Sequence, residues 1–144
     1  MLFLPFGESA YAEPVGDWVL TCDPRPCELT QSARNDADGE VVKITLTRRE
    51  QGLFALVAVP LGISLPAGVT LSVDQGASST HQFATCTVGG CFSAIPLAGQ
   101  HLAAWKKGKT LRIVFGDGAG QPVDIAVSLI GLTQGLEELN ARKE

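Results

Sequence analysis

The stretch TLRIVFGDGAGQPVDIAVSL, residues 110–129, decides how this chain folds. Leu111, Ile113 and Phe115 alternate with Thr110, Arg112 and Val114. Beyond the loop, Val123, Ile125, Val127 and Leu129 alternate with Asp124, Ala126 and Ser128. A period of two sends successive side chains to opposite faces of an extended strand, one face buried and one wet. Between the two runs lies Gly116-Asp117-Gly118-Ala119-Gly120-Gln121-Pro122, whose composition is that of a hairpin connection. The segment therefore reads as two antiparallel strands joined locally.

Working outward, the same signals recur. Val42, Ile44 and Leu46 alternate with Lys43, Thr45 and Thr47 after a turn at Asp36-Ala37-Asp38-Gly39. Leu53 to Val59 is almost continuously apolar, which predicts a strand buried on both faces. Pro60 stops that strand, and residues 61–68 cross over to another at Thr70-Leu71-Ser72-Val73. Short strands also fit Asp17 to Cys22, Cys27 to Ser32, His81 to Cys86 and Cys91 to Ile95. About nine strands with frequent turns predict an all-β antiparallel β-sandwich, or a flattened barrel. Gln100 to Lys107 reads as a short helix stopped by Gly108. Thr133 is the expected N-cap of a C-terminal helix reaching Arg142, with Leu132, Leu136 and Leu139 on one stripe and Arg142-Lys143 at its C-terminal end. Gly135 should weaken that helix slightly.

The chain has 144 residues, the size of one ordinary domain. Only 18% are charged, so long charged helices do not dominate. The net charge is −4, and no basic cluster is denser than Lys106-Lys107-Gly108-Lys109. This excludes a nucleic-acid footprint. No apolar stretch approaches the ~20 residues of a membrane-spanning helix. Residues 1–12 resemble the tail of a secretory signal: an apolar run containing Leu2, Phe3, Leu4 and Phe6, then Ala10-Tyr11-Ala12 before a cleavage point at Glu13. The run is short and no Lys or Arg precedes it. Residues 13–144 are read as one domain.

Four cysteines fall in two pairs of equal spacing, Cys22 with Cys27 and Cys86 with Cys91. The enclosed residues, Asp-Pro-Arg-Pro and Thr-Val-Gly-Gly, are turn formers that bring their flanks side by side. Local pairing is the best of the three connectivities. Disulfides imply a periplasmic or extracellular location. Zinc ligation and redox-active thiols are the competing readings, although a thioredoxin-like site wants two intervening residues and a βαβ surround.

Residues with catalytic potential are few. His81 and His101 could be bases, with Ser78, Ser79, Ser93, Asp74, Asp117 or Asp124 as partners, but no motif assembles them. Asp36 to Gly39 lacks the ligands of a calcium loop, and Gly116 to Gly120 leads into no helix N-terminus that would cradle phosphate. No carboxylate pair stands out for glycoside hydrolysis. Catalytic, cofactor and metal residues are therefore expected to be none. Trp18 reads as core. Trp105, beside Lys106 and Lys107, is read first as packing and second as a candidate interaction surface.

Gly16-Asp17-Trp18 leads into the first cysteine pair, and residues 60–69 (PLGISLPAGV) follow in mid-chain. Then come residues 83–91 (FATCTVGGC) and 127–133 (VSLIGLT). In this order they resemble the invasion-associated locus B family of exported alphaproteobacterial proteins, over roughly Gly16 to Leu139. The resemblance implies an exported β-sandwich, periplasmic or surface-associated, with a family link to host-cell invasion. It transfers no catalytic residue. The expected role is a non-enzymatic module binding an unknown protein, glycan or envelope component; the alternatives are an envelope hydrolase and a structural or chaperone-like component. Mass spectrometry without reductant should find the chain about 4 Da lighter than its reduced form, two hydrogens being lost per disulfide.

Overall fold

The computed structural model describes residues 12–142 apart from Pro24 and residues 36–39. The signal-like segment lies outside these residues except for Ala12, as does the 36–39 turn. Eleven strands and two helices are described: β1 (Ala12–Val15), β2 (Trp18–Thr21), β3 (Glu28–Asn35), β4 (Glu40–Arg49), β5 (Gly52–Val59), β6 (Val69–Val73), β7 (Ser78–His81), β8 (Thr85–Thr87), β9 (Gly90–Pro96), α1 (Gly99–Lys107), β10 (Thr110–Gly116), β11 (Pro122–Ser128) and α2 (Leu132–Ala141). They form an all-β framework of two open sheets, ordered β1-β2-β3-β4-β5-β9-β8 and β11-β10-β6-β7. Each strand pairing within them is antiparallel.

The deciding hairpin forms as read. β10 and β11 pair from Thr110 opposite Ser128 to Gly116 opposite Pro122. Asp117 closes its loop: one carboxylate oxygen accepts the amides of Ala119 at 2.9 Å and Gln121 at 2.8 Å. Leu111, Ile113, Phe115, Val123, Ile125 and Val127 are buried. They face the inner side of the larger sheet, where Leu20, Leu29, Ile44, Leu46, Ala55, Val57 and Ile95 are buried. At ~25 cal/mol per Å² of apolar surface removed from water, this interlayer is the main stabilising term.

Three expectations change. β5 is not buried on both faces: Leu53, Ala55, Val57 and Val59 are buried, whereas Phe54, Leu56 and Ala58 are only half-buried, because among the described residues no second layer covers that side of the larger sheet. The run from His81 to Cys86 is not one strand. β7 ends at His81 in the smaller sheet and β8 begins at Thr85 in the larger, and residues 82–84 carry the chain across. Splitting such runs, and the separate β1, raises the count from nine to eleven. Finally, Gly131 rather than Thr133 precedes α2, with φ 91°. Thr133 is already helical and its hydroxyl donates to the Lys106 carbonyl at 3.4 Å. Arg142 is the C-cap and pairs with Glu13 at 3.1 Å and Glu138 at 3.2 Å.

α2 packs across β1, β2 and β3 and touches α1. Gly135 makes that approach close, since a Cβ there would lie 2.9 Å from both δ-carbons of Leu29. Its small cost in helix propensity accompanies a packing requirement. Gln31 ties the layers together at the seam. Its side-chain amide donates to the Ser128 carbonyl at 2.9 Å and accepts the Ser128 amide at 3.1 Å, so it stands in for a missing strand beside β11.

A close backbone contact joins the first hairpin to the segment before α2. Gly16 in the β1–β2 turn has φ 62°, and a Cβ on it would lie 2.5 Å from the Ile130 carbonyl oxygen and 2.6 Å from the Cα of Gly131. A Cβ on Gly131 would likewise lie 2.6 Å from the Cα of Gly16. The Asp17 amide donates to the Ile130 carbonyl at 3.0 Å, and the Ser128 hydroxyl donates to the Asp17 carboxylate. Gly16→Ala or Gly131→Ala combines a left-handed backbone with a backbone clash and should cost more than ~3 kcal/mol in urea unfolding. Gly120→Ala, with φ 83° and nothing within 4 Å, should cost only ~1–2 kcal/mol.

Candidate functional site

The site lies where the two sheets part, between α1 and the β6–β7 end of the smaller sheet. Leu97 follows β9, and its amide donates to the Leu53 carbonyl at 2.9 Å, which aims the chain into α1. α1 lays Trp105 inward, 4% exposed, with Leu102 half-buried against the same core. Gly108 ends the helix with its amide on the Ala104 carbonyl at 2.9 Å. Its φ is −79°, so no left-handed conformation demands glycine. The demand is steric: a Cβ would run into Val73 and lie 3.2 Å from Leu129 Cδ1.

Asp74 sets the width of the opening. It follows β6 with φ 54° and its amide donates to the Thr110 carbonyl at 2.8 Å. Its carboxylate accepts the amides of Lys109 at 3.2 Å and Thr110 at 3.1 Å. The β6–β7 turn is thereby tied to the α1–β10 joint. The remaining space is a cleft of about 350 Å³. Leu71, Ile95, Leu97 and Trp105 supply its apolar lining; Ser79 and His81 stand on the strand side, Gln100 and His101 on the helix side.

The strand period places Ser79 and His81 on one face of β7, and Ser79 Oγ lies 2.9 Å from His81 Nε2. The His81 and His101 rings meet edge to face, centroids 6.5 Å apart. Burial lowers the His81 pKa below its ordinary 6.5, and the nearby His101 lowers it further. No sequence motif joins the two histidines. His101 is exposed, but His81 is half-buried and the fold brings the two rings together.

The other candidates are dispersed. Ser93 donates to the Gln82 carbonyl at 2.9 Å, Asp117 closes its hairpin loop, and Asp124 pairs with Arg112 at 2.8 Å on the outer surface. No carboxylate lines the cleft among the described residues. Among the described residues the Ser-His contact therefore has no acid to orient the ring, and they assemble no triad. Ser79-x-His81 was the signal available in the sequence: two polar residues on one strand face. Its meaning depended on which helix would face it.

Of the candidate interaction residues, Lys106 and Lys107 are exposed at the end of α1, whereas Trp105 is packed and lines the cleft. The Pro60–Gly68 crossover keeps Leu61 (55%) and Leu65 (48%) in solvent. All four cysteines are oxidised, Cys22 to Cys27 and Cys86 to Cys91, which leaves no thiolate for zinc. The first disulfide loop holds the end of α2: Arg25 donates to the Arg142 carbonyl at 2.7 Å. The second spans directly opposed residues of β8 and β9, leaving Val88 fully exposed at the hairpin tip. No described helix is long and apolar enough to cross a membrane.

Comparison with known proteins gives one consistent family. The sequence profile of the invasion-associated locus B (IalB) protein family matches residues 18–140. Invasion protein B homologs of Brucella abortus strain 2308 and of biovar 1 strain 9-941 are each 27% identical over 145 aligned positions, covering 96% of this chain and 84% of the relative. The crystal structure of invasion-associated protein B from Bartonella henselae superimposes with a TM-score of 0.80 at 27% identity, over 90% of this chain and 96% of the other.

The lowered His81 pKa has a thermodynamic consequence. A histidine that prefers to stay neutral in the fold contributes stability that is fully present above pH 6.5 and lost as pH falls through its lower folded value. Unfolding midpoints should therefore decline from pH 7.5 to pH 5, and His81→Gln should flatten that slope. An unchanged slope would mean that His81 is not the group responsible.

Proposed function

Because the chain belongs to the invasion-associated locus B family, we propose that it is an exported, non-enzymatic binding module of the cell envelope. The observation that carries this reading is the cleft between α1 and β7, a preformed apolar recess with a few polar groups at its sides, which is the usual form of a recognition site. Two disulfides support an oxidising periplasmic or extracellular location. The relatives' names suggest a role in contact with host cells, and an exposed recognition cleft suits such a role. Leu61 and Leu65, exposed on the crossover beside Gly116, offer a second apolar surface outside the cleft lining.

One observation favours a second reading. The Ser79–His81 contact has the length of a nucleophile–base pair, as an envelope hydrolase would require. Ala104→Trp, which fills the cleft from α1, should abolish retention of an envelope-fraction ligand on the immobilised domain while the melting temperature stays unchanged. Retention unaffected by this substitution would remove the cleft from the function. Ester hydrolysis that disappears in Ser79→Ala would replace the binding reading with the hydrolytic one.

A further inference from the structure

The charges of this chain are segregated. From Gln51 to Gly116 the acid is Asp74, against Lys106, Lys107, Lys109 and Arg112, although the whole chain carries −4. The Asp74 carboxylate accepts two backbone amides at the joint beside the cleft. Arg112 is paired with Asp124 on the outer surface, and the cleft lining itself holds no carboxylate among the described residues. Its titratable lining groups are His81 and His101, on opposite sides.

Its frame is equally particular. β7 is the end strand of its sheet, with no strand neighbour on its other side among the described residues. Ser78 and Thr80 are exposed along it. Across the cleft stands α1. An end strand facing a helix over an apolar recess is suited to an extended segment that pairs its backbone with the strand and lowers a side chain between the two. The volume of about 350 Å³ suits one or two aliphatic side chains rather than a folded surface.

We propose that this cleft receives the C-terminus of a partner polypeptide: an extended segment that pairs with β7, places a terminal aliphatic side chain against Leu71, Leu97 and Trp105, and sets its α-carboxylate between His81 and His101. The inference rests on the binding reading above and names its ligand. Two imidazoles facing each other in a lining without carboxylates favour a carboxylate, and the open strand favours a peptide over a simple fatty acid. The proton count follows. Around His81 the lining offers the Ser79 hydroxyl from β7, apolar Leu71 from β6, Ile95 from β9, and His101 from α1, with no carboxylate or ammonium among them. A bound carboxylate would offset the burial and the histidine repulsion that keep His81 neutral, so binding takes up a proton and tightens as pH falls.

Isothermal titration of the oxidised domain with acetyl-Ala-Ala-Leu as the free acid, the same peptide as its C-terminal amide, and octanoate tests this. The free acid should bind roughly tenfold more tightly than the amide and than octanoate, and more tightly at pH 6.0 than at 7.5. His81→Gln/His101→Gln should erase the preference for the acid and leave the weaker binding of the amide. Equal affinity for acid and amide would overturn the carboxylate assignment, and octanoate binding as well as the peptide would overturn the strand pairing. If no probe binds yet Ala104→Trp still abolishes envelope-ligand retention, this inference fails and the cleft remains the recognition site. If that substitution has no effect, the broader reading fails instead.

Discussion

The contact of Gly16 with Gly131 is the constraint on which the other arrangements rest. Two backbones meet there at a distance that no side chain allows, and one belongs to the first hairpin while the other precedes the last helix. Both residues have positive φ, so the same positions need glycine for conformation and for space. Asp17, Ser128 and Ile130 surround the contact with hydrogen bonds. Joining the chain ends at this point sets β11 beside β3, where the Gln31 amide bridges to Ser128, and it starts α2 in position to cover β1 to β3.

The other edge of the smaller sheet, at β7, is built differently. There the sheets diverge and α1 fills only part of the gap, leaving a recess floored by Trp105. Its width is held by backbone bonds to Asp74 and by the close fit of Gly108 against Val73 and Leu129. A recess held in this way is largely formed before any ligand arrives, which reduces the ordering cost of binding. The domain thus pairs a closed contact beside β11, where backbone meets backbone, with an open cleft beside β7, where polar and apolar side chains line accessible space.

The two disulfides have unequal structural roles despite their equal spacing. Cys22–Cys27 shapes a loop whose Arg25 holds the last residue described after α2. Cys86–Cys91 braces a short hairpin at the edge of the larger sheet. In the chain-entropy view loops this short contribute only ~2 kcal/mol each. Their value therefore lies in local geometry, while the interlayer apolar surface supplies most of the stability.

Much of this was legible in the sequence because it depends on near neighbours. Alternation at 110–129 yields two strands and a hairpin since side-chain direction follows from backbone period alone. The turn-forming residues between paired cysteines bring sulfurs together whatever the remaining chain does. The helical stripe of Leu132, Leu136 and Leu139 reads the same way. What tertiary structure alone decided concerns partners distant in sequence: that His81 ends a strand in one sheet while Cys86 belongs to another, that β5 leaves one face half-bare, and that Gly135 makes room for Leu29. The cleft belongs to this second group. Ser79, His81, His101 and Trp105 each have an ordinary local reading, and only the docking of α1 against the end of the smaller sheet gives them a common space.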